Sequence, residues 1–416
     1  MPSTTPWRPV LSDSLRDRAL ETAHDIADAL APWASEELTH FSGEESETAS
    51  LGSGCAGIAL LHAYVFKDGG AAVDLLERAI GILSRQAMDP WLYYGFSGIA
   101  WAAHHVSERL GLAEDPCEPI DEILADRVMR SPWRGSYELF NGLVGLGVLA
   151  IERAPRPLAV ACVQGVIDRL GELAEKSSEG ITWFTPPELL PESTRAEAPE
   201  GWHCLGLAHG IPGVVGFLAA ALEAGIARTT AGYLLEGTVD WLLHQRRELA
   251  DGLQFPLYVG NGIGESHGQL SWCYGDLGVA VTILAASRAT GNERWRREAV
   301  LIARRAASLS MELPSLMNSG LCHGSAGIAH MFNRVFQHAG DDACLSAART
   351  WYERALDQRV PGRGIAGYAA WAPDQGGVPA WVPEPGLLLG ASGVGLALLA
   401  GATNVEPRWD RVMLVS

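Results

Sequence analysis

The sequence is poor in basic residues. Lysine and arginine number only 31 of the 416 residues, against 49 aspartates and glutamates, and the net charge is −18. A surface with this balance repels phosphate groups. The composition therefore argues against nucleic acid or an anionic membrane as the main partner.

The sequence also lacks a secretory core at its start and a clear membrane-spanning run. Residues 1–18 are polar and mixed in charge, unlike a signal peptide. Residues 387–402 are apolar but rich in glycine and alanine, so they predict a buried helix rather than a membrane span. Seven cysteines without short framework spacing favour a reducing compartment. We therefore expect a cytoplasmic protein without stable membrane insertion.

What the sequence does contain is one motif in seven copies. Each copy is a Gly-x-x-Gly turn followed by an apolar run of small residues, as in a buried helix. A single copy carries no information, but seven in the same setting indicate a repeat architecture. The glycine pairs are 54/57, 95/98, 142/145, 210/213, 275/278, 324/327 and 390/393.

A longer amphipathic stretch precedes each turn, with apolar residues at three- and four-residue spacing. The predicted fold is therefore all-α: an α/α toroid (double α-barrel) of seven helical hairpins. In this fold, seven inner helices form a ring, and each of them begins at a glycine turn. Seven outer helices surround that ring. We expect one domain over residues 1–416, with loop or short-strand insertions near 180–201, 252–268 and 361–385. The amphipathic stretches cover roughly 19–33, 72–85, 120–129, 158–176, 231–249, 294–309 and 345–360.

Alignment of the seven turns brings three ligand-type side chains into register. Cys273 and Cys322 both lie two residues before the first glycine of their turns, and His323 lies one residue before it. If the repeats are structural copies, the two thiols project from equivalent points. Two thiols and an imidazole are ligands that zinc prefers, and a fourth position would stay open for chemistry.

Two further polar residues precede turns. His209 lies one residue before Gly210, and Glu138 lies four residues before Gly142. Glu138 either caps its loop or takes part in proton transfer. Four other cysteines are predicted to be buried small hydrophobic residues, namely Cys55, Cys117, Cys162 and Cys344. Cys204, beside His203, lies at a different offset from its glycine turn than Cys273 and Cys322 do.

At three of these motifs the chain resembles the lanthionine synthetase C-like family, the cyclases of lanthipeptide biosynthesis. The resemblance covers nearly the whole chain, and its motifs are 206–210 (GLAHG), 272–275 (WCYG) and 322–324 (CHG). It implies an α/α toroid with a strand-containing extension. It also implies one Zn²⁺ held by Cys273, Cys322 and His323, with His209 as acid or base at the metal and Tyr274 beside the first zinc cysteine.

The chain departs from the family pattern at two positions. Glu138 stands where the family usually has aspartate, which moves the carboxylate by one methylene. Gln269 stands where the family usually has arginine, four residues before Cys273, which removes a permanent positive charge.

The expected function is zinc-dependent addition of peptide cysteine thiols to dehydroalanine or dehydrobutyrine, which forms (methyl)lanthionine thioether rings. The candidate catalytic residues are His209, Glu138 and Tyr274. The expected partner is a dehydrated precursor peptide with its leader; a dehydratase and a transporter are further candidates.

Three other functions remain open from the residues. A zinc-stabilised scaffold could bind peptides or a dehydratase without turnover. A zinc-dependent isoprenoid transferase would need a basic cavity for diphosphate, and no basic cluster lies near the turns. A two-carboxylate carbohydrate enzyme would have no use for the Cys-Cys-His set, and would depend on Glu138 and Asp276.

Overall fold

The computed structural model describes residues 6–35, 45–113, 115–264, 267–309, 318–373 and 377–416. Within these residues it has sixteen α-helices and six short strands, which pair as antiparallel sheets β1–β2, β3–β4 and β5–β6. Helices α1–α16 span Asp13–Leu30, Glu45–Ala49, Cys55–Val65, Gly70–Arg85, Phe96–Leu110, Ile120–Val128, Leu143–Glu152, Pro157–Leu173, Glu192–Arg195, Ile211–Glu223, Arg228–His244, Asp276–Thr290, Glu293–Ala307, Ser325–Ala339, Asp342–Asp357 and Ala391–Ala402. Strands β1–β6 span Glu175–Ser177, Gly180–Thr182, His203–Cys204, Tyr258–Val259, Ala370–Pro373 and Pro379–Val382.

The seven apolar helices begin where the glycine motif predicts. Each starts directly after the first glycine of its pair, and that glycine is the N-cap. These glycine-opened helices are α3, α5, α7, α10, α12, α14 and α16. Every residue of α16 is buried, so the predicted buried helix within 387–402 is confirmed. None of the described helices is both long and apolar enough to cross a membrane.

The amphipathic stretches are helices as well, namely α1, α4, α6, α8, α11, α13 and α15. Helix α13 shows why they form. Its buried residues recur at three- and four-residue spacing, from Trp295 through Ala299 to Ala306, while its charged residues lie between them. The Asn292 side chain accepts hydrogen bonds from the first main-chain N–H groups of the helix and thereby fixes its start.

The chain is divided into two compact units. Unit 1 comprises 1–117 and 310–409, and unit 2 comprises 118–309 and 410–416. In unit 1, α16 packs against α1, and Trp7 Nε1 donates to Ala400 O at 2.9 Å. In unit 2, α10 packs against α7, α11 and α12. The single domain over residues 1–416 stays a prediction.

Four of the six described strands lie in the three predicted insertions, whereas β1 and β3 lie just outside the first one. Strand β2 and helix α9 fall within 180–201, β4 within 252–268, and the β5–β6 hairpin within 361–385. Helix α9 was not predicted, because a single turn after Pro191 is too short to show a periodic apolar pattern.

In six copies of the motif, the second glycine permits a close approach of two backbone segments. A methyl group on Gly98 would come under 3.0 Å from the carbonyl oxygen of Leu92, and one on Gly327 would come equally close to Leu321 O. In these copies, the loop before the glycine-opened helix therefore folds back tightly over the first turn of that helix. The residues just before the first glycine have a fixed place in this pre-helix loop.

Replacement of Gly98 by alanine tests this constraint. The added methyl group would collide with main-chain atoms, which cannot move as a flexible side chain does. We expect Gly98→Ala to lower the free energy of unfolding by about 1–3 kcal/mol, measured by urea denaturation.

Gly81→Ala in α4 is the matched control, because its nearest contact would be Arg85 Nη1 at 3.5 Å. It should be neutral or stabilising by about 0.5–1 kcal/mol. Equal effects of the two substitutions would contradict the close-approach argument.

Candidate functional site

In unit 1 the pre-helix loops are joined by main-chain hydrogen bonds at one repeated position. Cys322 N–H donates to Leu388 O at 2.8 Å, Leu388 N–H to Gly52 O at 3.1 Å, and Gly52 N–H to Tyr93 O at 2.7 Å. All four residues lie two positions before the first glycine of their turns. Main-chain hydrogen bonds therefore fix the position of Cys322 independently of its side-chain contacts.

Unit 2 repeats this link between the loops that carry His209 and Cys273. Ala208 N–H donates to Cys273 O at 3.3 Å, and both residues again lie two positions before a first glycine. Gly206 makes room for the contact, since a side chain there would come 2.6 Å from Cys273 O. His209, the next residue after Ala208, is thereby held on the loop beside that of Cys273.

The thiol of Cys273 is buried, with the residue only 7% exposed. The hydroxyl oxygen of Ser271 lies 3.4 Å from its Sγ. Ser271 Oγ also donates to Tyr274 O at 2.9 Å and accepts from Tyr274 N–H at 3.1 Å. Ser271 therefore closes the turn around Cys273 and places a polar group beside the sulfur.

His209 is paired with Glu138. Its Nδ1 lies 2.9 Å from Glu138 Oε2, and the carboxylate also accepts the main-chain N–H groups of Phe140 at 2.8 Å and Asn141 at 2.6 Å. Glu138 is buried, whereas the His209 side chain is 39% exposed. Glu138 therefore both caps its loop and orients the imidazole, which leaves Nε2 as the ring nitrogen able to exchange a proton.

The same pair alters the protonation of His209. Burial by itself lowers the pKa of the imidazole, but the hydrogen bond to Glu138, the charge of Glu138 and that of Cys273 outweigh it. The net effect raises the pKa of His209 above its ordinary value of 6.5. The shift favours the protonated ring, which is the form that a proton donor requires.

Tyr274 connects the loop that carries Cys273 to the β3–β4 sheet. Its hydroxyl accepts from Tyr258 OH at 3.0 Å, and its ring packs against the buried cluster that includes Trp202 and Cys204. Burial raises the pKa of Tyr274, and it raises the pKa values of both Tyr258 and Cys204 to about 12. These groups therefore stay protonated. Cys204 is a structural thiol, as its offset from the glycine turn indicates.

Asp276, the second carboxylate considered from the sequence, is fully buried. It accepts the main-chain N–H groups of Gln254 and Phe255 and the side-chain amide of Gln254. Asp276 therefore fixes the 254–255 segment.

In unit 1, His323 is held by a residue that the sequence analysis missed. Asn318 Nδ2 lies 3.1 Å from His323 Nε2, and Asn318 Oδ1 accepts Trp371 N–H from strand β5 at 2.6 Å. Asn318 is 5% exposed. It lies six residues before the first glycine, the same offset as Gln269 and Glu384. That shared offset is the signal that could have found it.

The structure thus brings Glu138, His209, Cys273 and Tyr274 together within unit 2. It places Cys322 and His323 on one pre-helix loop of unit 1. Cys55, Cys117, Cys162 and Cys344 are buried, as predicted for small hydrophobes.

The comparison with family models agrees with this layout. The model described as lanthionine synthetase C-like protein matches residues 45–414. The chain belongs to this family. The resemblance inferred from the three motifs is therefore confirmed for nearly the whole chain.

Among solved structures, the lanthionine synthetase C-like chain is similar to one titled nisin cyclase. The TM-score is 0.72 and the identity 19%, over 94% of this chain and 97% of that one. At this identity the likeness shows the fold, and it confirms the predicted all-α, α/α toroid class. No curated protein sequence matches significantly.

Two more distant likenesses are to an isomerase and a mannanase. A D-mannose isomerase has a TM-score of 0.43 and 14% identity, over 71% of this chain and 85% of that one. A GH76A alpha-1,6-mannanase from Salegentibacter has a TM-score of 0.48 and 12% identity, over 93% and 100%. Both are too distant to bear on function.

Substitution of Glu138 tests the electrostatic account of His209. Glu138→Gln removes the negative charge while burial remains, so the pKa of His209 should fall, as measured by NMR titration of its ring protons. A raised pKa means that the pair adds stability fully below pH 6.5, and that this contribution is lost as the pH rises through the pKa of His209. The variant should lack this pH dependence.

Glu152→Gln serves as the control, because Glu152 pairs with Arg411 rather than with a histidine. An unchanged His209 pKa in Glu138→Gln, or an equal fall in both variants, would refute the assignment.

Proposed function

We propose that this protein is a zinc-dependent lanthipeptide cyclase, which adds peptide cysteine thiols to dehydroalanine or dehydrobutyrine. The observation that carries the proposal is the arrangement in unit 2. An imidazole with a raised pKa, oriented by Glu138, lies on a loop hydrogen-bonded to that of Cys273. Family membership and the likeness to nisin cyclase support the same reaction.

One Zn²⁺ would be held by Cys273, Cys322 and His323, each of which offers one ligand atom. Two thiols and an imidazole fit the donor preference of zinc. Ser271 Oγ lies 3.4 Å from Cys273 Sγ, and the Asn318 amide orients the ring of His323. When bound, zinc supplies a Lewis-acidic position that favours the thiolate form of a substrate cysteine.

The remaining chemistry needs a proton donor. The substrate sulfur forms a bond to the β-carbon of the dehydroamino acid, and the electron pair of the double bond moves to the α-carbon and its carbonyl. His209 then gives a proton to the α-carbon. The substrate thiol has lost one proton and the product gains one, so the overall reaction is an addition without a leaving group.

Glu138 and Tyr274 have distinct parts in this scheme. Glu138 stabilises the protonated His209 and fixes its ring through Nδ1. Tyr274, whose hydroxyl is bonded to Tyr258, positions the loop of Cys273 and remains a candidate contact to the substrate. The substrate would be a dehydrated precursor peptide with its leader, with a dehydratase and a transporter as partners in the cytoplasm.

Ring closure by a His209→Asn variant tests the function. The substrate is a synthetic peptide with one cysteine and one dehydroalanine. The addition does not change the mass of the peptide. Ring closure is therefore measured as loss of the free thiol, which no longer reacts with N-ethylmaleimide. The wild-type protein should close the ring faster than buffer alone. His209→Asn should slow kcat by about 10²–10⁴-fold, with its zinc content unchanged.

His244→Asn is the control, because His244 is exposed on α11 and contacts Asp240 O. It should act like the wild type. An unaffected rate in His209→Asn would remove His209 from the mechanism. A wild-type protein that binds the peptide but never consumes its thiol would leave the scaffold function instead.

A further inference from the structure

The β5–β6 hairpin of unit 1 has one face formed by two tryptophans and two prolines. Its register pairs Trp371 with Trp381 and Pro373 with Pro379. Because side chains alternate along a strand, these four residues share one face. Trp371 is 38% exposed and Trp381 is 40% exposed, and both prolines are exposed. Two tryptophans are therefore partly exposed on a face whose own strand residues carry no charge.

The two indoles are held in a defined arrangement. Their ring centroids lie 5.5 Å apart in an edge-to-face geometry of 62°. The guanidinium of Arg363 lies 5.1 Å from the Trp381 centroid. A preorganised aromatic pair loses little conformational entropy when it binds a partner, and exposed apolar patches of this kind mark interaction sites.

The face adjoins a candidate metal ligand. Trp371 N–H donates to Asn318 Oδ1 at 2.6 Å, and Asn318 Nδ2 lies 3.1 Å from His323 Nε2. One buried side chain therefore fixes both the start of β5 and the imidazole of His323. Residues that flank a peptide cysteine at the proposed metal site would therefore lie next to this hairpin.

The proposed substrate has the chemistry that suits such a face. Dehydroalanine and dehydrobutyrine are flat, conjugated and uncharged, and flat π systems pack favourably against indole rings. The serine and threonine from which they are made carry a hydroxyl instead, which loses its water when it is placed on an apolar surface. An aromatic face can therefore favour the dehydrated form over the unmodified one.

We propose that Trp371 and Trp381 bind the dehydrated segment of the peptide substrate and select it over the unmodified peptide. This inference rests on the proposed function, since it assumes a dehydrated peptide as the substrate. It adds a surface and a basis for specificity to that function.

The test is direct binding, measured by fluorescence anisotropy. The probe is a short fluorescein-labelled peptide with one dehydroalanine between valines and no cysteine, so that it cannot react. A matched peptide has serine in place of dehydroalanine. The wild-type protein should bind the dehydroalanine peptide more tightly. Trp371→Ala and Trp381→Ala should each raise its Kd by about 2–10-fold, and both should reduce the preference over the serine peptide.

Two further variants make the result specific. Trp381→Phe keeps an aromatic ring and should recover most of the affinity. Tyr233→Ala removes an aromatic residue of α11 that is 56% exposed and should leave the Kd unchanged. Any one of three results would overturn the inference. These are unchanged Kd values in both tryptophan variants, equal binding of the two peptides by the wild type, and the same loss of affinity in Tyr233→Ala.

The outcome is separable from that of the cyclase assay. Selective binding through the two tryptophans without ring closure would refute the proposed function and support the binding surface. Ring closure with unchanged binding in the tryptophan variants would refute the surface alone.

Discussion

The arrangement of the candidate site depends on the close approach of each pre-helix loop to the helix that follows it. Glycine at both motif positions removes the side chains that would collide with the loop backbone. Gly275 has the additional demand of a φ of +90°, which side-chain-bearing residues rarely adopt. Because the loop is closed so tightly, the residues one and two positions before the first glycine are placed by the backbone itself. Main-chain hydrogen bonds between loops, such as Cys322 to Leu388, then fix neighbouring copies in register.

On this shared backbone, each loop gives its functional side chain a different local partner. His209 has the carboxylate of Glu138, His323 has the amide of Asn318, and Cys273 has the hydroxyl of Ser271. A charged partner raises the pKa of an imidazole and suits a proton donor. A neutral amide orients the ring of His323 without adding charge. His209 therefore has a charged partner and His323 a neutral one.

The sequence predicted those features that repeat. Seven glycine pairs located the starts of seven helices, and the common offset of Cys273 and Cys322 identified equivalent positions, because both depend on local backbone geometry. Contacts between distant segments were not predictable in this way. Trp371 lies 53 residues from Asn318, and the sequence around neither residue indicates the hydrogen bond between them. The hydroxyl contact between Tyr258 and Tyr274 likewise depends on where β4 packs. For Glu138 the sequence left capping and catalysis as alternatives, whereas its two carboxylate oxygens cap the loop and orient His209 at the same time.

The central proposal is that the two cysteine-bearing loops supply the ligands of one zinc ion. Zinc content of the purified protein, measured by mass spectrometry beside Cys322→Ala and Cys162→Ala, tests it most directly. Cys162 is the matched control, because its thiol is buried in α8 and burial raises its pKa to about 11. The account predicts about one zinc per chain in the wild type and in Cys162→Ala, with loss of zinc in Cys322→Ala. A folded wild-type protein without zinc, or a Cys322→Ala variant that retains it, would contradict the account.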